Sequence, residues 1–158
     1  MKTKRGDLWK CANPEFRGLK GTFYYYCVMG DSSAYMMANA IITQKGELLI
    51  NKSKIEEWSD EIVAFGKDKF DYFDLELTSI EDFMKNKDDF KKNTIISFNH
   101  KKYEYGIIRK IDAEKKTLKV EVTNDDTEEE KEIKISFDDV TIVYPEFTFN
   151  DRRQFQKI

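Results

Sequence analysis

A chain of 158 residues, 40% hydrophobic and 14% aromatic, can bury a core of its own as one ordinary domain or two small ones. Its formal net charge of −3 gives no general pull toward nucleic acid, because binding a polyanion without sequence preference normally needs a basic stripe. Two cysteines and one histidine are too few for a closed zinc site of Cys and His alone, and no metal or other cofactor is expected.

In chain order, Gly6-Asp7 is a turn dipeptide before Leu8-Trp9-Lys10-Cys11, which reads as an opening strand. Asn13 to Gly21 is a loop punctuated by Pro14, Gly18 and Gly21. Strands follow near 22–29, 35–43 and 47–51, separated by turns at Gly30-Asp31-Ser32-Ser33 and Gln44-Lys45-Gly46. Ser53-Lys54-Ile55-Glu56 is a capping-box signature, and Ile55, Trp58, Ile62 and Phe65 recur near helical spacing up to Gly66, so a helix is expected there. Phe73, Leu75 and Leu77 alternate with Asp74 and Glu76, the pattern of a short half-buried strand. Ser79-Ile80-Glu81-Asp82 opens a second helix with Ile80, Phe83, Met84 and Phe90 partly on one face.

Near Lys91-Lys92-Asn93 the period changes from helical to alternating. Strands are then expected at Thr94 to Phe98, Tyr105 to Ile111, Thr117 to Thr123, Lys131 to Phe137 and Asp139 to Tyr144, with turns at Asn99 to Lys102 and Asp112 to Lys116. A strand–turn–strand pattern thus occurs twice. The predicted class is α+β, mainly β: two small antiparallel β-barrel-like units, 1–52 and 93–158, joined by a helical segment over 53–92 that packs on the first unit. The tail from Phe147 to Ile158 either packs on the body or serves as a peptide-like contact.

No apolar run approaches the roughly 20 residues of a membrane span, and no basic-then-apolar leader opens the chain, so a cytoplasmic location is expected. Cys11 and Cys27 fall on adjacent predicted strands, but two cysteines in a cytosolic chain are usually small reduced hydrophobes. The wealth of Lys, Asp, Glu, Asn, Ile, Phe and Tyr suits an AT-rich genome, such as that of a low-GC bacterium or its phages. Charge is uneven. The first twenty residues are basic, whereas Asp125-Asp126-Thr127-Glu128-Glu129-Glu130 is an acidic block.

Tyr105-Gly106-Ile107-Ile108 leading into a hairpin, together with Ile133 to Val140, resembles the small barrels of Tudor and KOW modules. That resemblance implies binding of peptides or nucleic acid through loop-borne aromatics, here Tyr103, Tyr105 and Phe137. The bland alternative for these three is core or edge packing. Lys4-Arg5-Gly6-Asp7-Leu8-Trp9, with the strand Tyr24 to Met29 and Ala40-Ile41-Ile42-Thr43, resembles the MazF/PemK family of endoribonuclease toxins. It implies metal-independent RNA cleavage, with Thr43 contacting phosphate, Arg17 or Lys20 stabilising charge and Arg5 positioning substrate; Lys20-Gly21 stands where the family carries Arg-Pro. The alternative is a solvated basic rim and a strand-end hydroxyl.

His100 sits in a predicted exposed turn and is not an expected catalyst. The acidic block, Asp125, Asp126, Glu128, Glu129 and Glu130, is expected to be a mobile hairpin loop that could mimic a phosphate backbone. Together these features favour a non-catalytic interaction protein of a phage or mobile element that inhibits a host protein through its barrel surfaces and acidic loop. The divergent ribonuclease and the RNA- or peptide-binding module stand as alternatives, and an isologous homodimer through sheet edges is a further expectation.

Overall fold

The computed structural model describes residues 3–11, 23–30, 34–50, 62–66, 75–144 and 156–158. Within these the chain is mainly β: two antiparallel sheets and one short helix. Its elements are β1 (Leu8–Cys11), β2 (Phe23–Gly30), β3 (Ala34–Ile42), β4 (Leu48–Ile50), β5 (Ile62–Gly66), β6 (Leu75–Thr78) and α1 (Ile80–Lys85). There follow β7 (Ile95–Phe98), β8 (Tyr105–Asp112), β9 (Thr117–Thr123), β10 (Glu130–Ser136), a 3₁₀ turn over Phe137–Asp139, β11 (Val140–Tyr144) and β12 (Gln156–Lys157).

The first sheet runs β12-β4-β3-β2-β1-β6, and β5 also pairs with β3. β3 is long enough to hold two short strands end to end on one edge, with Ala34–Ala38 against β5 and Ala40–Ile42 against β4. Residues 62–65, expected to close a helix, are therefore strand; Ile62, Val63 and Phe65 are β-branched or aromatic and suit a pleated surface, and pairing with β3 outweighs a loose helical period. The rest of that expected helix, 53–61, lies outside the described residues. The tail returns as β12 against β4, with Gln156 opposite Ile50.

The second helix begins where expected. Ser79 caps it by accepting the Asp82 backbone N–H at 3.2 Å, and it ends after six residues at Lys85. Phe90 has left the helix and packs in the second core, 4.7 Å edge-on from Phe137.

The second sheet runs β10-β9-β8-β7-β11. Consecutive strands form a meander, and β11 returns to pair with β7 after the 3₁₀ turn. Ser136 and Asp139 cap that turn reciprocally. Neither sheet is a closed barrel: the pairings leave β10 and β11 at the edges of one sheet, and β6 and β12 at the ends of the other. One side of β8–β10 supplies Ile108, Leu118, Val120 and Ile135 to a core that also holds Phe98 and Val140. Gly106 is required there, because a Cβ on it would lie 2.5 Å from the Glu121 carbonyl oxygen and from Val120 Cγ1. The sheets meet through Ile41, Ile95 and Tyr144, and Gln44 N–H donates to the Thr141 carbonyl at 2.9 Å.

Candidate functional site

The Arg-Gly-Asp segment is a local turn. Gly6 has φ +97°, a conformation glycine adopts without strain, and its N–H donates to the Cys27 carbonyl at 3.0 Å. The Asp7 carboxylate accepts from Lys4 N–H at 2.9 Å and from the Thr3 hydroxyl at 3.0 Å. Thr3 in turn accepts the Trp9 indole N–H at 2.9 Å. These bonds explain the motif as a device that seats Trp9 in the core, while Arg5 remains exposed.

Thr43 is 8% exposed and its hydroxyl accepts the Glu47 N–H at 3.0 Å, closing the β3–β4 turn. Arg17 and Lys20 lie outside the described residues. Register places Phe23, not Cys27, opposite Cys11. Cys27 is a buried free thiol whose pKa is pushed up, chiefly by burial.

The three aromatics proposed for a binding wall are divided. Phe137 is 7% exposed in the core. Tyr103 packs against that core from its edge, beneath Lys102 Nζ at 5.6 Å, and its ring lies 5.6 Å from His100. Tyr105 is half-buried at the start of β8. His100 closes the connection between β7 and β8, its Nδ1 accepting from Lys102 N–H at 3.1 Å and Tyr103 N–H at 3.3 Å.

The acidic block forms a tightly bonded hairpin loop. The Asn124 side chain accepts from Asp126 N–H at 3.0 Å, Glu128 N–H returns to the Asn124 carbonyl at 2.8 Å, and Asn124 N–H reaches Glu129 at 2.9 Å. Asp125, Asp126, Glu128, Glu129 and Glu130 are all exposed. On the neighbouring strands β8 and β9, Arg109 pairs with Glu121 and donates to the Asn93 side chain at 2.7 Å. The Arg109 hydrogen bond, and after it that of Glu130, hold the Glu121 carboxyl below its usual range. Glu130 is pushed up by its hydrogen bond with Glu121 and by that neighbour's charge.

Strand register assembles a basic group that reading single strands overlooked. Lys110 on β8 stands opposite Lys119 on β9, and Lys119 stands opposite Lys134 on β10. At about 4.8 Å between strands, three exposed ammonium stems share one row on the face away from the core. None makes an ion pair among the described residues. The row borders a groove of about 520 Å³ that also touches Lys115, Asp112 and Glu114. Asp112 is engaged in its own turn, accepting Lys115 N–H at 3.0 Å. Like charges directly opposite one another oppose strand pairing, so the row costs the fold stability. Counting outward from the two turns of this meander would have found it: the turn that sets Asp112 against Thr117 also sets Lys110 against Lys119, and the one that sets Thr123 against Glu130 sets Lys119 against Lys134.

A second concavity, about 320 Å³, lies where the sheets and α1 meet. Lys10 is the register partner of both Tyr24 and Glu76, so β2, β1 and β6 present a phenol, an ammonium and a carboxylate in one row. Tyr24 is braced edge-on by Phe83 at 6.0 Å, and burial pushes its pKa up to about 12. Gln44, 8% exposed, lines the same cleft, and its Nε2 is a buried donor without a partner among the described residues. Stranding such a donor costs about 1–3 kcal/mol. Among the described residues no group of three or more His, Cys, Asp or Glu side chains is arranged to hold a metal, and no helix is long and apolar enough to cross a membrane.

No family model matches this chain, and no curated protein or solved structure matches it significantly.

Proposed function

We propose that the protein is a mainly-β binding module that takes the phosphate backbone of single-stranded RNA along the β8–β9–β10 face. The observation that carries this reading is the row Lys110–Lys119–Lys134, three exposed cations in register, none of them in an ion pair among the described residues. A polyanion would offset the mutual repulsion of the row and gain entropy from the counterions it releases. The second sheet, a meander whose last strand returns to its first, holds the three strands that present the row. Arg109 is already committed to Glu121 and Asn93, so the lysines supply the available charge.

Fluorescence anisotropy with a short labelled oligouridylate tests this reading. Binding that is measurable at low salt and weakens steeply as salt rises is the expected result; no binding at low salt would overturn it. Running the same RNA on a denaturing gel checks the ribonuclease alternative, and shortened RNA would favour catalysis over binding.

The reading as a host-protein inhibitor has one observation in its favour: the hydrogen bonds of residues 124–129 fix a set of exposed carboxylates, as charge mimicry would need. Affinity purification from a bacterial lysate, beside a variant with Asp125, Asp126, Glu128 and Glu129 changed to Asn or Gln, tests it. A protein retained by the wild type and lost from the variant is expected under this reading, and no retained protein at moderate salt would contradict it.

A further inference from the structure

The cleft between the sheets is lined by groups of both kinds, the donors Lys10, Lys87, Gln44 and Tyr24 and the carboxylates of Glu76, Asp82 and Asp89. Lys10 is half-buried and makes no ion pair among the described residues, although Glu76 occupies the neighbouring register position. Gln44 also lines the cleft, and its buried Nε2 has no partner among the described residues. The Tyr24 hydroxyl stays protonated at neutral pH and contributes a further donor. Glu76, Asp82 and Asp89 give the lining carboxylates on β6, on α1 and after it. Asp82 is shared with Lys85 at 3.8 Å, which leaves Glu76 and Asp89 as its uncommitted anions among the described residues. Ile42, Phe83 and Val143 form apolar wall between the charged groups. The volume, about 320 Å³, lies at the small end of ligand sites.

A simple anion would meet the carboxylates, and a simple cation would leave the Gln44 and Lys10 donors unanswered. We infer that this cleft binds a small zwitterion of the free amino-acid class, its carboxylate toward Lys10 and Gln44 and its ammonium toward Glu76 and Asp89. The site is separate from the lysine row and independent of RNA binding. Ligand carboxylate would give the buried Gln44 amide the acceptor it lacks, and a charge-assisted bond from Lys10 would fix orientation.

Saturation-transfer NMR with each of the twenty amino acids, and with succinate and putrescine as single-sign controls, tests the inference on the full chain. At least one amino acid should bind at millimolar concentration and more tightly than either control. Lys10→Met and Gln44→Leu should each weaken that binding about tenfold, the loss typical of a charged or buried hydrogen bond, while oligouridylate binding stays unchanged. If Gln44→Leu fails to fold, Lys10→Met and Glu76→Gln decide. Absence of binding by every amino acid, a control that binds as well as the best of them, or folded variants that bind like wild type would each overturn the inference.

Discussion

The five-stranded sheet is built from neighbours in sequence, whereas the seven-stranded sheet depends on strands that return from far along the chain. In the former only the β11–β7 pairing is non-local; in the latter β6 closes on β1, β5 on β3 and β12 on β4. The meander buries one face and leaves the other to charged side chains, so register alone decides which charges become neighbours. The first sheet instead encloses polar groups at its junctions, among them Gln44 and Asn39, of which the Nε2 and the Oδ1 respectively lack partners among the described residues. A local sheet thus carries its candidate function on an open face, and a sheet of long-range pairings carries it in a cleft.

Substitutions can break this contrast in order of size. The largest effect is expected at the centre of the meander: Ile108, fully buried, should cost about 2–5 kcal/mol when changed to Ala, from lost transfer energy and the cavity left behind. Urea unfolding measures it, and a loss below 1 kcal/mol would mean that this core is not packed as described. Gly106→Ala should follow at about 1–3 kcal/mol, because its Cβ meets backbone and a β-branched neighbour that cannot swing aside. Beside the first sheet Thr3→Val removes the acceptor of the Trp9 indole N–H and should cost about 1–3 kcal/mol; an unchanged midpoint would show that this bond does not seat Trp9.

Smaller effects sharpen the comparison further. The folded-state pKa of Tyr24 is raised from 10.0 to about 12, so its contribution is fully present below pH 10 and is lost as pH rises toward 12, where the unfolded chain ionises first. Thermal melts across that range should show a decline that Tyr24→Phe reduces. The smallest effect has the opposite sign. Lys119 stands between two lysines, so Lys119→Gln should raise stability by about 0.2–0.5 kcal/mol while weakening RNA binding. A variant that loses both would give Lys119 a structural role instead.

Most strands of both sheets were legible because alternation and turn residues mark them locally, and the Ser79 cap announced α1. The strand Ile62–Gly66 was not, since Ile62 and Phe65 also fit a helical period and only pairing with the distant β3 decides between them. Barrel closure was likewise overestimated, because turn spacing sets hairpins but not whether edge strands meet. At the candidate sites the aromatics pointed two ways, to a binding wall or to packing, and for Phe137 packing holds: after the capped turn at Ser136 and Asp139 it lies in the core. The lysine row was recoverable by counting from the two turns. The cleft was not, because Lys10, Gln44 and Glu76 are brought together by long-range pairings and by the packing of both sheets with α1.

The most direct test of the phosphate-binding face is the salt dependence of oligouridylate binding for the wild type beside a Lys110→Gln/Lys119→Gln/Lys134→Gln variant. Each phosphate contact on a single strand contributes about −0.7 to the slope of log K against log salt, so removing three should flatten the slope by about 2. A triple variant that binds with wild-type affinity and an unchanged slope would contradict the account.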